Sequence, residues 1–403
     1  MSDSPVIEIH GTNTQNRGAE LMAIAIAEQL RQRYDKVKIV VPAGFGDLNS
    51  LVKHDFYTTS EQAPSRYLRL RNLMRRSFGL PPTMNTTALE QWFLRQVSLF
   101  SPKRHRTIHP RDIDFVLDAS GFAFGDQWGA KFSQRLYEKM ERPARKGKPL
   151  VLLPQALGTF EQPATATATQ KLIHRASRCF ARDIISKQQA EAIALEADRI
   201  ALCPDFTPLV APFTSGTSST KSPYCSIVPN YRMLDKGDDA TAYLDFLSQA
   251  AGHSLQGNQQ IVFVLHDSDE DKKVMSLLAD RGIEMNIYTS ADPRELKGFL
   301  GGSQFVIGSR FHALVSSLSQ GVPCIGAGWS HKYPELFADY DCGEFHLADL
   351  KDSTSLKQRI DRLSDEEENR EIRKRIHAAG QNIKDKIHSM WNEVFDLIDQ
   401  AIH

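Results

Sequence analysis

One rhythm, running twice through the chain, constrains the fold more than any other feature. Short apolar runs alternate with longer stretches whose apolar residues recur at helical spacing, the signature of parallel strands joined by crossover helices. In the first half, strands are predicted at 6–10, 37–41, 115–117, 150–153, 179–181 and 200–202, with helices over 19–34 and 130–145. The segment 214–222, polar and small, then breaks the pattern with the composition of a linker. Beyond it the rhythm restarts, with strands predicted at 226–228, 261–265, 285–288, 305–307 and 324–325. The expectation is two α/β units, residues 1–213 and 223–403, facing a cleft. A helical stretch over 366–402 follows the last strand and can pack on either unit.

Residues 44–110 fit neither period and read as a helical insertion in the first unit. Arg66, Arg69, Arg71, Arg75 and Arg76 alternate there with Tyr67, Leu68, Leu70, Leu73, Met74 and Phe78. Such a face suits a lid, a solvated surface, or peripheral contact with an anionic membrane. The whole chain of 403 residues balances 49 Lys and Arg against 49 Asp and Glu. That neutrality argues against a nucleic-acid binder, which needs surplus cations for phosphates. No run is long and apolar enough to span a bilayer, and Met1–Pro5 lacks the features of a signal peptide. Five cysteines form no CxxC pair, as in a reducing compartment. A cytoplasmic protein is expected, with the inner membrane face as an optional station.

In open parallel sheets, ligands bind beyond the carboxyl ends of strands, so the loops there carry the chemistry. The first, from His10 to Glu20, holds Asn16 and opens a helix, whose free N–H groups favour an anion or a hydroxyl-rich ligand. It matches neither a dinucleotide fingerprint nor a phosphate loop. The second, from Asp118 to Gly129, is rich in glycine, including Gly121. Its Phe124 and Trp128 can stack on a sugar, and Asp118 or Asp126 can bind hydroxyls or move protons. Gln155 and the pair Arg182-Asp183 follow further strands; that pair can also be a plain internal ion pair. Asp205 closes the first half and can equally brace a turn.

Gly308-Ser309-Arg310-Phe311-His312-Ala313 is the strongest local signal. Arg310 and His312 stand where a strand ends and a helix begins, suited to gripping an anion and moving a proton. Lys332, after the next strand, adds a cation beside the same crevice. No metal-binding spacing and no G-x-S-x-G elbow occurs; His266-Asp267 alone is a weak ligand pair.

These motifs together resemble the polysaccharide pyruvyl transferase family. The likeness runs from the 11–20 loop through Gly121–Gly129, Pro154–Gly158, Arg182-Asp183 and Pro204-Asp205 to Ser309-Arg310-Phe311-His312 and Gly321-Val322-Pro323. It departs at Asn16-Arg17-Gly18-Ala19-Glu20, where the family's acid falls one place earlier, and at Ala119-Ser120-Gly121, where consecutive glycines are usual. The resemblance implies two Rossmann-like domains arranged as in GT-B glycosyltransferases, the first on the acceptor side and the second on the donor side. It implies transfer of the enolpyruvyl unit of phosphoenolpyruvate to sugar hydroxyls as a ketal, with phosphate released; no cofactor is expected, and no residue is named as a metal ligand. The acceptor would be a saccharide, free or lipid-linked. Arg182, Arg310 and His312 are then the donor-binding candidates, with Ser309, Lys332, Asn16, Gly121 and Gln155 as further contacts. His312, Asp126 and Glu20 are the candidates for proton transfer. A nucleotide-sugar glycosyltransferase and a non-catalytic sugar-binding protein of the same fold remain as alternatives.

Overall fold

The computed structural model describes residues 4–59, 106–213, 223–256, 260–266 and 270–403. Two parallel sheets carry the architecture. The first contains β1 (Val6–His10), β2 (Lys38–Val41), β3 (Tyr57–Thr59), β4 (Thr107–Ile108), β5 (Phe115–Asp118), β6 (Leu150–Gln155), β7 (Arg178–Ala181) and β8 (Ile200–Leu202), in the order β4-β3-β2-β1-β5-β6-β7-β8. The second contains β9 (Tyr224–Val228), β10 (Gln260–Leu265), β11 (Ile287–Thr289), β12 (Val306–Gly308) and β13 (Cys324–Gly326), in the order β11-β10-β9-β12-β13. The segment read as a linker, 214–222, lies outside the described residues.

Each sheet winds outward in both directions from a pair of central strands, β1 and β5 in one, β9 and β12 in the other. The chain reverses its winding there, and the crevice beyond such a pair is where open sheets bind ligands. Register aligns the exits: His10 pairs with Asp118 and Val228 with Gly308. The loops after β1 and β5 pack so closely that a Cβ on Gly11, whose φ is +77°, would lie 2.3 Å from the backbone N of Ser120. Only glycine tolerates that backbone and that approach.

The Arg17–Arg33 helix buries eleven residues, including the unbroken run Gly18–Ala27, because it is covered on more than one side. Over that run the helix is buried on all faces, as befits a helix lying between layers. The Glu366–Ile402 helix has one apolar stripe, from Ile372 through Ile376, Ile383 and Ile387 to Trp391 and Ile398. Its start is capped by Asp365, whose carboxylate accepts from the N–H groups of Glu367 and Glu368. Near this end Arg373 donates to the carbonyl oxygens of Ser303 and Gln304 in the second half. Toward its far end, Asp399 accepts from Arg33 at 2.6 Å and Tyr34 at 2.7 Å, and Glu393 pairs with Arg178, all in the first half. The helix therefore packs on both units rather than one.

The expected helical insertion over 44–110 is too long. Residues 44–59 and 106–110 supply the Leu48–Lys53 helix, β3 and the edge strand β4. Strands of three and two residues are too short to show a period. The arginine run at 66–76 lies outside the described residues. β11 begins at Ile287, two residues later than its apolar run. Among the described residues no helix is long and apolar enough to cross a membrane, and all five cysteines are buried thiols.

Candidate active site

Loops leaving the four central strands, joined by those after β7, β10 and β13, line a cavity of about 630 Å³ between the two halves. The first half contributes Asn13, Asn16, Gly121, Phe122, Trp128 and Arg182, and the second Asn230, Arg232, Arg310, His312, Trp329 and Lys332. Of the residues singled out in the sequence, Asn16, Gly121, Arg182, Arg310, His312 and Lys332 thus reach one space. Asn16 also caps the Arg17–Arg33 helix, its side-chain oxygen accepting from the N–H of Ala19 at 3.1 Å.

Six others are placed elsewhere. Glu20 is buried and holds Arg17 at 2.7 Å and His54 at 3.0 Å. Asp126 accepts from Thr159 Oγ1 and from the N–H groups of Glu161 and Gln162, bracing that loop. Gln155 is fully buried because β6 continues through Pro154 with a register irregularity; its Nε2 donates to the carbonyl of Asp118. Ser309 is buried with its carbonyl accepting from Asn230 and from the Tyr333 hydroxyl. Phe124 lies in the core, and Asp118 is buried against Ser120.

The cations of the cavity carry their own counter-charges. Arg182 pairs with Asp205 at 3.2 Å, not with neighbouring Asp183, which caps the Ile184–Ile193 helix through Ser186. Arg310 grips Asp271 with two prongs, Nε donating to Oδ2 at 2.8 Å and Nη2 to Oδ1. Arg232 likewise grips Glu270. Asp271 gave no sequence signal: an acid in a first helical turn, 39 positions from Arg310, reads as ordinary dipole complementation.

Lys332 differs. Its ammonium faces rings, 4.3 Å from the centroid of Phe122, 5.2 Å from Phe311, 5.4 Å from Tyr333 and 5.5 Å from Trp329. No carboxylate of the described residues is within ion-pair distance. Burial, and then the positive charges of Arg182 and Arg310, push its pKa down to about 7. His312 is also displaced: burial lowers its pKa, although Asp205 pulls the other way, with Oδ2 3.5 Å from Nε2. Burial alone would raise the pKa of Asp205, but Arg182, and then His312, hold it below the ordinary range. His266 is lowered well below the usual value by burial, then by Arg310 and His312. At neutral pH the cavity thus offers neutral imidazoles beside a lysine poised to gain or lose its proton. Among the described residues no group of three His, Cys, Asp or Glu is placed to hold a metal ion.

Chains of similar fold are known. The UDP-GlcNAc 2-epimerase from Neisseria meningitidis, bound to UDP-GlcNAc, is 11% identical with a TM-score of 0.58, covering 97% of this chain and 100% of its own. HepE from Anabaena, in complex with UDP-glucose, is 13% identical at a TM-score of 0.52, covering 96% and 99%. A putative UDP-N-acetylglucosamine 2-epimerase from Listeria monocytogenes is 12% identical at 0.55, covering 92% and 90%. At such identities the likeness is one of fold, and that fold is GT-B-like. No curated protein matches the sequence significantly. The family model for polysaccharide pyruvyl transferase, in contrast, matches residues 16–331, which include every cavity residue named above except Asn13 and Lys332. With well over half of its length matched, the chain belongs to the polysaccharide pyruvyl transferase family, a family of transferases.

Proposed function

We propose that the protein transfers the enolpyruvyl unit of phosphoenolpyruvate to two hydroxyls of a saccharide used in polysaccharide assembly, leaving a cyclic pyruvate ketal. The observation that carries this reading is the convergence of Lys332, Arg182 and His312 on one cavity. The donor bears a carboxylate and a phosphate, and Lys332 has no carboxylate of the described residues within ion-pair distance, so an arriving anion favours its ammonium form. Arg182 lies in the same wall, with a buried Nε that has no hydrogen-bond partner.

The reaction balances without water. One acceptor hydroxyl proton ends on the methylene carbon, which becomes the methyl group, and the other leaves with the phosphate. Two C–O bonds to the sugar form, and the C–O bond to phosphate breaks. His312, neutral and backed by Asp205, takes a hydroxyl proton as oxygen attacks. Glu20 and Asp126 are engaged by other partners, which leaves this role to His312. Lys332 and Arg182 stabilise the departing phosphate. Arg310, bound to Asp271, frames the cavity beside His312.

The test is phosphate release from phosphoenolpyruvate with and without saccharide, together with the product mass. Release that depends on a saccharide, with a pyruvate ketal in the product, supports the reading. Consumption of UDP-glucose with no turnover of phosphoenolpyruvate would assign a glycosyltransferase instead.

A further inference from the structure

The cavity is larger than a three-carbon phosphoester needs, and part of its wall is aromatic. Phe122 and Trp128 come from the loop after β5 and Trp329 from the loop after β13, so the rings meet from opposite halves. The centroids of Phe122 and Trp329 are 5.5 Å apart, and those of Trp128 and Trp329 are 6.2 Å apart with planes at 79°. Phe122 meets Trp128 edge to face at 6.2 Å. Rings of a closed core are covered on all sides, but these three are only partly buried and line an open cavity. The Nε1 group of Trp128 is shielded from solvent and has no hydrogen-bond acceptor among the described residues, so a ligand reaches it only when the indole turns toward the cavity. An unused indole N–H is costly unless a ligand accepts from it. Lys332, 4.3 Å from the Phe122 ring, joins this wall to the cationic part of the cavity.

A ligand suited to such a wall has an apolar face for the rings and an oxygen at its edge for the indole. A pyranose has both: ring C–H bonds on one face and hydroxyls around the rim. We infer that Phe122, Trp128 and Trp329 form the acceptor subsite, in which a pyranose stacks on the wall and, as the indole turns toward it, one of its oxygens accepts from Trp128 Nε1. The inference rests on the pyruvyl-transfer reading only for the order of the two substrates, donor anion at Lys332 and sugar on the wall beside it. The subsite is complete only when both halves contribute, so an acceptor bound there also bridges them.

Saturation-transfer NMR on the full chain tests this, using methyl β-D-galactopyranoside, methyl β-D-glucopyranoside and methyl α-D-mannopyranoside, with glycerol as the hydroxyl compound lacking a ring. Each is run with and without phosphoenolpyruvate. Ring protons of at least one glycoside should receive saturation, and glycerol should receive none. Trp128→Ala should weaken glycoside binding by about tenfold or more while calorimetric affinity for phosphoenolpyruvate stays within about twofold. Trp128→Phe, which keeps a ring but loses the N–H, should fall between the wild type and Trp128→Ala. No signal from any of the three glycosides overturns the subsite. So does unchanged glycoside binding in Trp128→Ala, or equal loss of both ligands in Trp128→Ala and Trp128→Phe. If glycosides bind as expected while the wild type ignores phosphoenolpyruvate, the subsite stands and the donor assignment falls.

Discussion

Gly18 and His312, from opposite halves of the molecule, occupy one space: a Cβ built on Gly18 would lie 2.2 Å from Nδ1 of His312 and 2.6 Å from its Cγ. Absence of a side chain at Gly18 is therefore what lets the imidazole sit beside Asp205. Two effects oppose each other in Gly18→Ala. Alanine favours the helix that starts at Arg17 by about 0.5–1 kcal/mol, but the new methyl displaces a buried ring. The clash decides activity and the propensity offsets its effect on stability. We expect turnover to fall by about a hundredfold, with the thermal midpoint moving by only a few degrees. Wild-type turnover in this variant would show that the ring does not need its present position.

Lys332 makes donor binding depend on pH. With its pKa pushed down to about 7, the free protein holds mostly neutral amine at pH 8 to 9. An arriving anion favours the ammonium, so binding in this range takes up a proton and weakens as pH rises, by at most about tenfold per pH unit. The donor phosphate, with its second pKa near about 6, is already fully ionised there and does not produce the trend. Lys332→Arg keeps the charge and should flatten the profile between pH 7 and 9. Calorimetry in two buffers of different ionisation enthalpy measures both the affinity and the proton uptake. A dissociation constant independent of pH over that range would remove Lys332 from the donor site.

Arg310 and Asp271 must be changed together to be interpreted. Asp271 is fully buried, and its carboxylate meets both prongs of Arg310. Arg310→Ala leaves that carboxylate without its main partner, at a cost of about 3–5 kcal/mol in stability. Adding Asp271→Asn should recover much of this, because no buried charge then remains unmatched. Urea unfolding of the single and double variants measures both values. Equal stability of Arg310→Ala and the wild type would mean that the pair contributes nothing to folding.

The C-terminal helix should act as a brace between the units. Trp391 is 1% exposed and packs edge-on to Phe206 of the first half, with ring centroids 6.3 Å apart. Trp391→Ala should cost about 3–5 kcal/mol through the cavity it leaves. Asp399→Ala removes only half-exposed contacts with Arg33 and Tyr34 and should cost about 1 kcal/mol or less. Chemical denaturation of the two variants should rank them in that order; a larger loss in Asp399→Ala would place the brace at the helix end instead.

The sequence by itself determined the two-sheet plan and the loops that could hold chemistry. Alternation of strand and helix is written in near-neighbour spacing, and polar residues that directly follow an apolar strand emerge at its carboxyl end. That logic alone brought Arg182, Arg310, His312 and Lys332 into view, and all four line the cavity. It could not tell Phe122 from Phe124, two positions apart, of which one lines the cavity and the other fills the core. Nor could it tell that Gln155 still belongs to a strand, or that Asp126 and Glu20 are taken up by Thr159 and His54. The third dimension chose the partners: Asp205 for Arg182, Asp271 for Arg310, and Trp329 for Trp128. The physical reason is range. Hydrophobic period is a local property of the chain, whereas ion pairing and ring packing depend on which strand ends the crossovers bring side by side, and on the two halves meeting at one cleft.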